Sequence, residues 1–118
     1  MTRIFIVEPL RDQAKQDMLS RHGEIVALSQ VVPIQPPPVW NTFETSKWMQ
    51  DSIAEVGGFN YETDYLALVG NDLALAQLTA TLVAFSPTPY KIRCLSFYQA
   101  KGKRDEFCHV VLEEYLGD

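Results

Sequence analysis

Residues 3–7 read Arg-Ile-Phe-Ile-Val. An unbroken β-branched and aromatic run of this kind is expected of a strand covered on both faces, near the centre of a sheet. Pro9 suits a helix entrance, and Leu10, Ala14 and Met18 then recur every four residues against Arg11, Asp12, Lys15, Gln16 and Asp17. That pattern predicts an amphipathic helix, ended by His22 and Gly23. Residues 24–28, Glu-Ile-Val-Ala-Leu, form a second buried run. Strand, helix and strand in this order are expected to close as a right-handed parallel crossover.

Pro33, Pro36, Pro37 and Pro38 punctuate residues 31–40. Proline removes a donor and fixes φ, so neither a helix nor a central strand runs through them and an extended surface connection is expected. It is not a domain linker, because the first strand pair cannot bury both its faces without the elements on the far side of the prolines. Asn41 or Thr42 then caps a helix through about Val56, with Glu44 placed for a capping box if Asn41 is the cap. Met49, Ile53 and Val56 supply its inward stripe, and Gly57 with Gly58 stops it.

The clearest pattern lies in residues 64–85. Tyr65, Leu66, Ala67, Leu68 and Val69 make a fully apolar strand, Gly70 and Asn71 a turn, and Asn71 or Asp72 caps a helix to about Phe85. That helix is apolar almost all round, so it is expected to pack on the sheet and against a second surface, which another subunit would supply as well as any. Residues 91–98 and 106–113 read as a hairpin about Gly102, with Lys101, Lys103 and Arg104 at its tip. Closed there, it sets Cys94 and Cys108 on adjacent strands within a residue or two of being opposite. The expected fold is one α/β domain over residues 1–118, a three-layer Rossmann-like open sheet, mostly parallel, with a C-terminal antiparallel β-hairpin.

Composition narrows the function classes. The 118 residues are 47% hydrophobic and carry a net charge of -5, which favours solubility over adsorption onto polyphosphate and disfavours direct nucleic-acid binding. The first nine residues are too short and too acidic at their end for a signal peptide, and no apolar run spans a membrane. A cytoplasmic location is expected. Two cysteines are too few for a secreted disulfide framework and lack zinc-knuckle spacing, so buried thiols are expected and no metal site is read. No cofactor is implied, since neither GxGxxG nor GxxxxGK[ST] occurs.

In open parallel sheets ligands bind outside the carboxyl ends of strands, where strand order reverses. The candidate ligand residues are therefore Glu8, Arg11, Gly70, Asn71 and Asp72. Amides opening the helix after Gly70 suit a phosphate, carboxylate or carbonyl, although the same three residues serve equally as a cap and turn. Glu8 and Arg11 either hold a polar ligand or form a surface ion pair. Trp40 and Trp48 are candidates for stacking on a partner, or for clamping the proline connection onto the body. His22 and His109 have no metal ligand near them in sequence. A nucleophile built from Cys94 across the hairpin is weighed against a buried small hydrophobe, and Cys108 cannot pair with His109 because neighbours on a strand face opposite ways.

With the stretch from Asp64 to Asn71 between the proline-tryptophan connection and an apolar helix, the chain resembles short phage- and plasmid-encoded α/β proteins of unknown function. Its order of elements is similar to that of small Rossmann-like proteins of the CARF type, which in CRISPR systems sense or cleave cyclic oligonucleotides. The first resemblance implies a mobile-element accessory role and the second nucleotide handling; neither brings catalytic residues with it. The sequence thus points to a non-enzymatic binding module, homo-oligomeric and expected as a dimer, acting on a host protein or small ligand. The alternative is a nucleotide-binding or cyclic-oligonucleotide-cleaving domain, and whether the chain catalyses anything stays open.

Overall fold

The computed structural model describes residues 1–31, 42–98 and 105–117. The proline connection, Trp40, the Asn41 cap and the hairpin tip with Lys101, Gly102, Lys103 and Arg104 lie outside them. Strands β1 (Arg3–Ile6), β2 (Glu24–Ala27), β3 (Tyr65–Ala67), β4 (Lys91–Tyr98) and β5 (Glu106–Glu113) alternate with helices α1 (Gln13–Ser20), α2 (Thr42–Glu55) and α3 (Asp72–Phe85). A single 3-10 turn, Leu28–Gln30, follows β2. The strands form one sheet in the order β2-β1-β3-β4-β5, with β5 antiparallel to β4 and every other pairing parallel.

β1 is interior, as its unbroken apolar run requires: Phe5 lies between Val26 of β2 and Leu66 of β3. β3 is interior too, with Leu66 also opposite Cys94 of β4. Alternation along the strands sends side chains into two cores. Phe5, Leu66 and Cys94 meet Trp48 and Met49 of α2 and Leu78 and Leu82 of α3 on one face. Ile4, Ile6, Ala67 and Leu95 meet Leu19 of α1 on the other. Burying a leucine or isoleucine of this kind stabilises by roughly 1.5–3 kcal/mol, so both faces contribute to the stability of the sheet.

Three expectations need correction. α1 opens at Gln13 rather than beside Pro9, because the Asp12 carboxylate caps it by accepting from the Lys15 amide at 3.2 Å. Its buried residue is Leu19, while Ala14 is exposed. β3 ends at Ala67, two residues before the apolar run does, although the Leu68 amide still donates to the Leu95 carbonyl at 2.9 Å. The hairpin offset is as expected: Cys94 faces Val110 and Cys108 faces Ser96.

Candidate functional site

The chain leaves β1 towards β2 and leaves β3 towards β4, in opposite directions along the sheet. Loops that diverge in this way leave a crevice between the carboxyl ends of the two strands. One of about 280 Å³ lies there, and Glu8, Arg11, Gly70 and Asn71 are among the residues lining it. Val7 and Ala74, both buried, belong to its wall. Asp72 is exposed and is not among the lining residues.

Local chemistry fixes both walls. Gly70 has φ +98°, a left-handed conformation that a side chain makes costly, and this lets the chain beyond β3 turn into α3. Asn71 is the cap: its Oδ1 accepts from the Ala74 amide at 3.1 Å, and its backbone carbonyl from Leu75 at 2.9 Å. The remaining first-turn amides have no partner within the helix, and its dipole favours an acceptor there. On the facing wall the Ser29 amide donates to the Val7 carbonyl at 2.9 Å, and the Leu10 amide to Gln16 Oε1 at 3.0 Å. Arg11 lies in this loop ahead of the Asp12 cap, not in the first helical turn.

The alternative of a Glu8–Arg11 ion pair is not formed. Among the described residues the ion pairs are Arg3–Asp64, Lys47–Asp51 and Lys91–Glu113. Glu8 and Arg11 therefore bring opposite charges to one exposed crevice without neutralising each other. Trp48 is 4% exposed and packs in the core beside Met49, so its ring anchors α2 and is not presented to a partner. Trp40 lies outside the described residues.

Cys94 is buried, and burial pushes its thiol up to about 11, with a backbone hydrogen bond from Leu112 opposing the shift. Such a thiol is a poor nucleophile at neutral pH, which disfavours the Cys94 reading. A larger hollow of about 490 Å³ opens between α2 and α3, lined by Ile53, Phe59, Leu82 and Phe85 together with Gln50 and Asp51. Among the described residues lining it there is no lysine or arginine, and none is shared with the crevice at the carboxyl ends of β1 and β3.

Two clusters escaped the sequence reading because their members are far apart along the chain. Asp64, fully buried, accepts from the Arg3 amide at 3.1 Å, from Arg3 Nη2 at 2.8 Å and from the Asn60 amide at 2.8 Å. His22 and His109 are in ring contact, with centroids 5.5 Å apart. Burial and the charge of His109 hold the His22 imidazole below its usual range. The alternation of strand residues could have placed His109 on the α1 face, but nothing local indicated its partner. No protein-family profile matches the chain, no curated protein matches it, and no solved structure matches it.

Proposed function

We propose that this protein is a non-enzymatic binding module of Rossmann-like, three-layer design that receives a small polar ligand between the carboxyl ends of β1 and β3. The observation that carries the reading is the crevice holding Glu8, Arg11 and the start of α3 together, with the carboxylate and guanidinium not paired to each other. Arg11 and the α3 amides suit an anionic or carbonyl acceptor, and Glu8 suits a donor on the same molecule. At about 280 Å³ the space lies just under the roughly 300–1,000 Å³ of sites for drug-sized ligands, so it fits a ligand fragment of mononucleotide size or smaller. A nucleotide that presents its phosphate to Arg11 and a base or sugar donor to Glu8 is the second reading, and it uses the same residues.

The mobile-element accessory role belongs to this proposal, as do cytoplasmic residence and a host protein as downstream partner. Self-association belongs to it as well, through the exposed side of α3. Thermal-shift measurements with mono-, di- and cyclic oligonucleotides test the site. A ligand bound only by the native state stabilises by RT ln(1 + [L]/Kd), about 2.7 kcal/mol at a hundred times Kd. We expect a shift with at least one phosphorylated compound, abolished by Arg11→Ala. No shift at millimolar nucleotide discards the nucleotide reading, and a shift that survives Arg11→Ala places the ligand elsewhere.

A further inference from the structure

On the opposite rim of the sheet, at the amino end of β3, the second residue after α1 meets the edge strand. His22 and His109 stand there with ring centroids 5.5 Å apart and planes at 67°. His109 Nδ1 is 3.1 Å from the Tyr65 hydroxyl, which also receives Arg93 Nη2. Arg93 lies 4.3 Å over the Tyr65 ring and donates to the Glu62 carbonyl, so the tyrosine is held from two sides. Tyr65 itself is buried. No hydrogen bond between described residues engages the His22 ring.

We propose that His22 and His109 chelate a divalent transition-metal ion between the end of α1 and β5, with Tyr65 as the residue that positions His109. Two imidazoles on one zinc ion, each with Zn–N of about 2.0–2.1 Å and a tetrahedral angle between them, set their ring centres about 5 Å apart. The observed 5.5 Å is close to that separation, and turning one nitrogen of each ring onto the ion is the adjustment that binding requires. Nδ1 of His109 is committed to Tyr65, so Nε2 is the ligating atom, in the tautomer that carries its proton on Nδ1. The 3.1 Å contact admits either direction, and metal on Nε2 selects the one in which Nδ1–H donates to the Tyr65 oxygen. A ligating histidine usually has its other nitrogen held in this way by an outer partner.

Access is open, because His109 is exposed and His22 partly so. Among the described residues no group of three His, Cys, Asp or Glu side chains is placed to hold a metal, so water fills the remaining positions and the site is open, unlike a closed structural zinc site. Imidazole donors favour zinc, copper or nickel over magnesium or calcium.

Calorimetric titration of the untagged full chain with zinc chloride tests the assignment, with magnesium chloride as control. We expect one zinc per chain and no binding of magnesium. His22→Gln and His109→Gln should each weaken zinc binding at least tenfold, and Tyr65→Phe about tenfold. Cys108→Ser should leave it unchanged, and circular dichroism confirms that each variant is folded. No zinc binding at millimolar metal, or full affinity in either histidine variant, overturns the site. Long-range nitrogen–proton NMR of the zinc-loaded wild type reads Tyr65 independently of any variant. A proton on Nδ1 of His109 supports the positioning role, and a proton on Nε2 refutes it.

Discussion

Arg3 opens β1, yet its guanidinium reaches across the amino rim to donate to the carbonyls of Val56 at 2.7 Å and Gly58 at 2.6 Å as well as to Asp64. One cation thus ties together the first strand, the exit from α2 and the entrance to β3. Removing a single member of a buried pair is costlier than the pair is worth, because the survivor keeps its desolvation penalty. Asp64→Ala should therefore destabilise the fold by about 3 kcal/mol, the low end of the usual range, since the Arg3 side chain keeps 22% of its exposure and water relieves part of the cost. Arg3→Met with Asp64→Leu should cost clearly less than the two single changes summed. Urea unfolding at constant m-value measures both, and strict additivity would mean that the two residues act independently.

At the scale of elements, α3 is the part most legible in the sequence, and its start is the easiest to test. The Asn71 side chain satisfies the Ala74 amide, so Asn71→Ala should cost about 1 kcal/mol and Asn71→Gly only a few tenths. Equal losses in denaturant midpoint for the two variants would mean that the side chain is not the cap. α3 was readable because cap, positive-φ glycine and a long apolar run all agree. α1 was not, because two local signals competed: Pro9 suits a first helical position, but Asp12 captures the Lys15 amide and Gln16 reaches back to Leu10, which moves the entrance to Gln13. The face turned inward carries Leu19, with Leu10 and Met18 packed against the same core, and leaves Ala14 exposed. The crevice residues Glu8, Arg11, Gly70 and Asn71 could be chosen from sequence because strand ends locate such sites in any parallel sheet. Asp64 and the histidine pair could not, since Arg3 and Asp64, like His22 and His109, are distant segments that only the folded order brings together.

In the whole molecule, α3 is held on two sides and bare on a third. Its buried residues face the sheet, and α2 packs beside it, which accounts within the chain for part of the second surface that its composition demands. What remains outward is Leu73, Ala76, Ala80, Ala84 and Phe85, with Leu73 at 57% and Phe85 at 62% exposure. Past Asp72 the helix has no charged residue, unlike an ordinary solvated helix face. Two such helices crossing antiparallel would set each Leu73 against the other copy's Phe85, with the alanines letting the backbones approach and the dipoles opposed favourably. One helix face covers much less than the roughly 800 Å² per partner of a stable interface, so self-association through α3 should be weak and reversible. Sedimentation velocity from micromolar to near-millimolar protein should show a monomer shifting towards dimer, and Ala80→Glu, which puts like charges at the crossing, should hold it monomeric with its unfolding midpoint little changed. A single monomer peak across the whole range would leave α3 an exposed apolar face without a second copy and would remove self-association from the proposed function.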